Sequence, residues 1–149
     1  MFKQLIYVAL ILVPVIPTFA QQKPCNDADR SQVEKDASTL RTWDALYRSY
    51  RQFRHCWNDV DAQEGYSESE ARILADHWET LPRLAYLVKK DREFEGFVGL
   101  DATMSMNDVK KIKDNAIHHC PRGLSELCTK LNRDADSAIA EDAVAHDHE

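Results

Sequence analysis

The chain has 149 residues, with 19 basic and 25 acidic side chains and a formal net charge of −6 when histidine is neutral. This acidic balance excludes general binding to nucleic acids or to anionic membranes, because both need a positive surface field. The length suits one domain with a single hydrophobic core.

The first twenty residues have the pattern of a secretory signal peptide. Lys3 precedes the apolar run 5–16, and the segment ends in Thr18-Phe19-Ala20, which predicts cleavage after Ala20. The alternative is an uncleaved membrane anchor, but the apolar run is shorter than the roughly 20 residues that span a bilayer. We therefore expect an exported protein, periplasmic or secreted, with no membrane span after cleavage. Its 129 residues would carry a net charge of −7.

All four cysteines lie in the exported part, where an oxidising compartment favours disulfides: Cys25, Cys56, Cys120 and Cys128. No C-x-x-C pair occurs, which argues against a thioredoxin-like redox motif, a c-type haem attachment site and the usual zinc-binding thiolate pair. Three pairings are possible. We prefer Cys25 with Cys56 and Cys120 with Cys128, since each bond joins segments that are adjacent along the chain.

The first elements contrast a polar segment with an aromatic helix. Residues 21–36 have little apolar periodicity and are predicted to form a loose lead-in held by Cys25. From about Ser38 to Cys56, apolar residues recur at steps of three and four, which predicts a central, core-facing helix. The apolar residues are Leu40, Trp43, Leu46, Tyr47, Tyr50, Phe53 and Trp57.

The middle of the chain is predicted to be an acidic loop followed by short helices. Residues 58–66 suggest the loop, and Ser67 with Glu70 forms a capping box for a helix that reaches Leu81. Pro82 favours the first turn of the next helix, which ends near Lys89-Lys90. Asp91 can cap a short helix that carries Phe94 and Phe97.

The last predicted helices lie on either side of a turn. Ser105 suggests the start of a helix that runs to Cys120, and Pro121-Arg122-Gly123 predicts a turn before a helix at 124–133. Residues 134–149 are predicted to be a mobile acidic and histidine-containing tail. No sustained strand pattern occurs. The expected fold is therefore all-α, a compact bundle of five or six short helices over residues 37–133.

A basic flank beside the apolar stripe of the aromatic helix is the most distinctive surface feature. Arg41, Arg48, Arg51 and His55 fall within about 80° of arc, with Asp44 among them. Such a flank could dock an acidic partner or bind a carboxylate or phosphate. The alternative is a solvated face that pairs with the protein's own acids, beginning with Asp44 and Arg48.

Two candidate metal sites are weaker. Residues 59–70 place oxygen ligands at five positions of a calcium-loop frame, but Glu64 stands where that frame requires glycine. His146 and His148 in the tail could bind a transition metal adventitiously. No metal site and no cofactor are predicted.

The histidines and the catalytic motifs give little support for an enzyme. His77 falls within an apolar face and is predicted to be a hydrogen-bonded core residue, and one of His118 and His119 is expected to pack near Cys120. G-x-S-x-G and H-E-x-x-H motifs are absent, as is a phosphate-binding glycine loop, so no catalytic residue is predicted.

From Trp43 to Leu131 the chain resembles a group of uncharacterised small exported bacterial helical proteins. The resemblance depends on short motifs such as Glu64-Gly65-Tyr66-Ser67-Glu68, Trp78-x-x-Leu81-Pro82 and Cys120-Pro121-x-Gly123-Leu124. In size, compartment and fold class the chain is also loosely similar to the immunity proteins that neutralise amidases delivered by type VI secretion. Neither likeness implies a binding residue.

The leading functional hypothesis is a non-enzymatic binding protein of the bacterial envelope, such as an inhibitor or immunity-type factor with an envelope protein as its partner. The alternative is a small envelope enzyme or ligand carrier that uses His77 or His55 with carboxylates in a cleft between helices. A concave pocket with convergent polar groups would favour the alternative, and an exposed or shallow patch would favour the binding protein.

Overall fold

The structure, a computed structural model, describes residues 24–37, 39–57, 59–101 and 103–146, so the predicted signal peptide lies outside it. Within these residues the fold is all-α and has no strand, as predicted. Seven α-helices are present: α1 Asp27–Ala37, α2 Trp43–Gln52, α3 Val60–Asp76, α4 Leu81–Lys90, α5 Arg92–Phe97, α6 Met106–His118 and α7 Ser125–His146. One-turn 3-10 helices follow α2 at Arg54–Cys56 and α3 at Trp78–Thr80.

Helix α2 supplies much of the core, although it is shorter than expected. Trp43 and Tyr50 are only 2% exposed and Leu46 is fully buried, as the apolar stripe predicts. The helix begins after Thr42, whose backbone is extended and whose side chain accepts a hydrogen bond from the amide of Ala45. The capping threonine therefore sets the start of α2. Hydrophobic spacing predicts a start near Ser38, a residue outside the described ranges.

A cluster of aromatic rings joins α2 to α5. The ring of Phe94 lies 5.0 Å from that of Tyr47 and 5.1 Å from that of Tyr50, and Phe97 lies 4.6 Å from Tyr50. Asp91 caps α5 as predicted, because its carboxylate accepts hydrogen bonds from the amides at 93 and 94. The cap and the rings together hold this six-residue helix against α2.

Both predicted disulfides are confirmed. Cys25 bonds to Cys56 across a Cα–Cα distance of 4.7 Å, and Cys120 bonds to Cys128 across 6.0 Å. The first bond ties the residues before α1 to the 3-10 turn after α2, and the second ties the end of α6 to α7. The pair indicates an oxidising environment.

The prediction of a loose lead-in is wrong from Asp27 onward, where α1 begins. Val33 is its one fully buried apolar residue among those described. Polar contacts complete the docking of α1, since Arg30 donates to Asp59 with an Nη2–Oδ2 distance of 2.7 Å. A helix held mainly by a disulfide and ion pairs shows little hydrophobic periodicity.

The predicted loop at 58–66 and the capping box at Ser67 are also wrong. Asp59 caps α3, and its carboxylate accepts a hydrogen bond from the amide of Ala62. Ala62 is fully buried and Tyr66 is 2% exposed, so the inward face begins one turn after the cap. Residues 60–70 are therefore helical, and they do not form the loop that calcium coordination would need.

The predicted mobile tail is instead helical as far as His146, as the continuation of α7. Ala135 is fully buried and Ala138 is 1% exposed, and this face packs on α6. The predicted turn before α7 is present, with Gly123 at a φ of 80° that favours glycine. Among the described helices, none is long and apolar enough to cross a membrane.

Candidate functional site

The outer side of α2 retains only part of the basic flank inferred from the sequence. Arg48 and Arg51 are exposed on the helix. Arg41 precedes the cap of α2, so helical spacing does not group it with them, and it donates to the carbonyl of Leu40. His55 lies in the 3-10 turn and contacts α1, with 2.8 Å between its Nε2 and the Oδ2 of Asp29. Of the four residues predicted for the basic flank, only Arg48 and Arg51 lie together on the outer side of α2.

Helix α4 extends this surface with further cations. Arg83 donates from Nε to Asp44 at 3.0 Å, and Arg48 acts electrostatically on the same carboxylate. Asp44 therefore bonds to Arg83 and not to Arg48 as the sequence suggested, and this hydrogen bond lowers the pKa of Asp44. Arg51 and Lys90 lie 5.9 Å and 6.0 Å from the ring centre of Tyr47. We call the resulting surface the basic face. Its residues are Arg48, Arg51, Arg83 and Lys90, together with exposed Lys89 at its edge.

The two chain segments that contribute the basic face are rich in positive charge, although the protein as a whole is acidic. Residues 41–54 and 81–92 carry eight basic and two acidic side chains, whereas the rest of the chain from residue 21 carries ten basic and 23 acidic ones. Within the described part of the chain, Arg48, Lys89 and Lys90 form no ion pair. Three cations therefore remain available to an external anion, and the charge distribution is strongly asymmetric.

An aromatic side chain and a groove adjoin the basic face. Tyr86 of α4 is 53% exposed, and the guanidinium of Arg83 lies 4.8 Å from the centre of its ring. Tyr86 and Lys89 also line an open groove of about 650 Å³ between α4, α5 and the start of α7. Arg92 and Lys130 line the same groove, but they pair with Glu95 and Asp134.

Apart from His55, the described histidines lie at exposed positions. His77 is exposed at the end of α3, where its Nδ1 lies 3.6 Å from Glu79, so the prediction of a core histidine is wrong. His118 and His119 are both exposed, contrary to the expectation that one packs inward. His146 is exposed in α7, and His148 lies outside the described residues.

One described cluster has the composition of a metal site. Ligand atoms of Asp29, His55 and Cys56 lie within 4.8 Å of one another. Cys56 is bonded to Cys25, so it has no thiolate to offer a metal ion. In its disulfide form this cluster is a structural contact between α1 and the 3-10 turn.

A second cleft, which the sequence did not reveal, surrounds Glu70 between α3 and the segment after α5. Glu70 is 2% exposed, and its Oε2 accepts a hydrogen bond from the amide of Gly99 at 3.2 Å. Burial raises the pKa of this carboxyl well above its ordinary value. The cleft has a volume of about 240 Å³ and is lined by Trp57, Gln63, Tyr66, Ser67, Glu70, Gly96, Phe97, Gly99, Leu100 and Asp101. Neither His55 nor His77 is among the lining residues.

We expect Glu70→Gln to have a higher free energy of unfolding than the wild type, by an amount that grows as the pH rises toward neutrality. The folded-state pKa of Glu70 lies above its ordinary value of 4.5, so the folded state binds more protons between these two values. The free energy of unfolding contributed by this group is therefore fully present below pH 4.5 and falls as pH rises through the folded-state pKa. The slope is at most about 1.4 kcal/mol per pH unit, and glutamine removes it.

Urea unfolding of both proteins at several pH values between about 4 and 8 measures this difference. Glu79→Gln is the matched control, because the side chain of Glu79 is 72% exposed. The control should follow the wild type at every pH. Parallel curves for wild type and Glu70→Gln would contradict the prediction.

Comparison with protein-family models, with curated protein sequences and with solved structures gives no match. The resemblance to small exported helical proteins and the analogy to immunity proteins stay predictions. Functional inference therefore depends on the basic face and on the cleft around Glu70.

Proposed function

We propose that this chain is a non-enzymatic binding protein of the bacterial envelope, which docks an acidic protein partner through its basic face. The observation that supports this most directly is the set of cations Arg48, Lys89 and Lys90, which form no ion pair with a described residue. The exposed ring of Tyr86 lies on the same helix as the two lysines. Arginine and tyrosine are enriched among residues that dominate binding energy at interfaces. An inhibitor or immunity-type factor for an envelope protein is the kind of molecule that this surface suits.

The envelope location is part of the proposal. The two disulfides support an oxidising compartment, and the N-terminal segment has the pattern of a secretory signal peptide. Periplasmic or secreted delivery accounts for both features. The acidic remainder of the protein would keep non-specific anions away and would orient the basic face toward a negative partner.

Charge reversal tests the proposed interface. We expect Arg48→Glu with Lys90→Glu to weaken binding to the partner by at least about tenfold and to reduce its salt dependence, because the approach of an acidic surface is then opposed. Neither residue forms an ion pair with a described residue. Because Arg48 acts on the Asp44 carboxylate and Lys90 lies 6.0 Å from the ring centre of Tyr47, the free energy of unfolding should fall by no more than about 1 kcal/mol per site.

The partner is obtained by affinity capture on the mature protein from its own cells, and the affinity is then measured with purified components. Lys110→Glu with Arg122→Glu is the control, since both residues are exposed, lie outside the basic face and give the same change in net charge. The proposal fails if both double variants bind the captured partner equally well. It also fails if capture retains no protein and the domain turns over an envelope substrate.

A further inference from the structure

The cleft around Glu70 combines aromatic walls with acidic groups. Trp57, Tyr66 and Phe97 line it, and the ring centres of Tyr66 and Phe97 are 5.0 Å apart. Glu70 and Asp101 supply two carboxyl groups. Aromatic faces attract cations, and aromatic cages recognise quaternary ammonium groups. An ionised carboxylate attracts the same cation through its charge.

The polar groups of the cleft are positioned by the fold. Ser67 donates to Asp101 Oδ2 at 3.1 Å, and Asp101 Oδ1 accepts from the amide of Thr103 at 2.9 Å. The hydroxyl groups of Tyr66 and Ser49 share a buried hydrogen bond of 2.8 Å. These contacts fix the Asp101 carboxylate and the Tyr66 ring without any contribution from a ligand.

Gly96 and Gly99 form part of the wall of the cleft. Apart from its chain neighbours, a Cβ atom added at either position would meet no atom within 4 Å. The volume of about 240 Å³ is below that of typical drug-sized sites and suits a ligand of few heavy atoms.

From this combination we propose that the cleft binds a small organic ammonium ion, with the cation against the Glu70 carboxylate and the aromatic walls. This site is separate from the basic face, which is made by α2 and α4, and it stands or falls independently of the proposed protein partner. With this site the protein would carry a small ligand in addition to binding its protein partner.

Protonation of Glu70 is coupled to this binding. Burial raises the pKa of Glu70 and Asp101 raises it further, whereas the hydrogen bond from the Gly99 amide and the charge of Lys130 on α7 lower it. Lys130 itself donates to the carbonyl of Val98 and to Asp134. The phenol of Tyr66, with a pKa of about 12, stays neutral. An ammonium ion favours the ionised carboxylate, so binding releases a proton from Glu70 and tightens as pH rises toward the folded-state pKa.

Calorimetric titration of the intact mature protein with choline tests the site. A neutral isostere of choline, 3,3-dimethylbutan-1-ol, is titrated in parallel. We expect saturable binding of choline, at least about tenfold weaker binding of the alcohol, and a heat that varies with the ionisation enthalpy of the buffer below the folded-state pKa because a proton is released.

Variants separate the role of the carboxylate from that of the cleft shape. Glu70→Gln keeps an acceptor for the Gly99 amide and should weaken choline binding by at least about tenfold and abolish the buffer dependence. Glu79→Gln is the control and should leave both unchanged. Gln63 is exposed at the cleft, so Gln63→Lys should weaken binding and Gln63→Glu should strengthen it without disturbing the fold.

Absence of saturable choline binding to the wild-type protein would overturn the proposal. Equal binding of the neutral alcohol, or unchanged affinity in Glu70→Gln and Gln63→Lys, would overturn it as well. None of these outcomes affects the charge-reversal result at the basic face, so failure of one site is distinguishable from failure of the other.

Discussion

Phe94→Ala lowers the free energy of unfolding by about 3 to 5 kcal/mol, as expected for a large aromatic side chain removed from a packed core. Phe94 is fully buried and contacts the rings of Tyr47, Tyr50 and Phe97. Its loss leaves a cavity between α2 and α5 and removes edge-to-face and tilted ring contacts. Urea unfolding followed by circular dichroism gives the change from the transition midpoint at constant slope.

Tyr86→Ala is the control for this substitution. Tyr86 is aromatic as well, but it is 53% exposed, so the free energy of unfolding should fall by less than about 1 kcal/mol. Phe94→Leu should lie between the two, because it retains part of the buried volume. A loss below about 1 kcal/mol for Phe94→Ala would show that the ring cluster is not tightly packed.

Replacement of Cys25 and Cys56 together by serine lowers the free energy of unfolding by about 3.7 kcal/mol in the chain-entropy model. The bond closes a loop with a sequence separation of 31, which restricts the unfolded chain strongly. It also anchors α1, whose remaining attachments are Val33 and polar contacts such as the pair of Arg30 with Asp59. Amide hydrogen exchange should therefore show α1 losing protection before the rest of the bundle.

The corresponding double replacement of Cys120 and Cys128 is the comparison. Its sequence separation is 8, which gives about 2.6 kcal/mol in the same model. The N-terminal pair should therefore matter more, and only its loss should expose the amides of α1. A reversed order of stabilities, or unchanged protection of α1, would contradict this account.

Helices with large apolar residues at regular spacing were predictable from the sequence. The stripe of α2 and the leucines of α4 are buried as their spacing requires, with Leu84 fully buried and Leu81 and Leu87 at 1% exposure. The disulfide pairing followed from proximity along the chain. The buried helix faces and the disulfide pairing both depend on residues close together in the sequence, so residue spacing and loop length predict them.

The missed helices have less conspicuous inward faces. In α7 the buried positions Leu131, Ala135 and Ala138 are spaced by four and three, so a helical period is present, but alanine contributes little to a hydrophobic pattern. In α3 the acids and Gly65 concealed Ala62 and Tyr66 on the buried side. These helices are stabilised by tertiary packing of small residues, which the hydrophobic pattern of the sequence does not reveal.

The candidate sites were harder to predict from the sequence than the helices, because their residues come from separate helices that only the tertiary structure brings together. The spacing of Arg48 and Arg51 on one helix identifies them from the sequence, but the contribution of Arg83 and Lys90 depends on how α4 lies against α2. From the sequence alone, Lys89 and Lys90 indicate only the C-terminal end of a helix. The sequence predicts that Glu70 belongs to a helix cap, and its burial inside α3 follows from the earlier start of that helix at Val60, after the cap at Asp59.

The order of the disulfides along the chain has a consequence for biogenesis. Each cysteine bonds to its nearest cysteine neighbour in sequence, and neither bond crosses the other. When a chain enters an oxidising compartment with its N-terminus first, Cys25 and Cys56 meet the oxidant before Cys120 and Cys128 do. For that order of entry, the native pairing is the one that oxidation in chain order would form first.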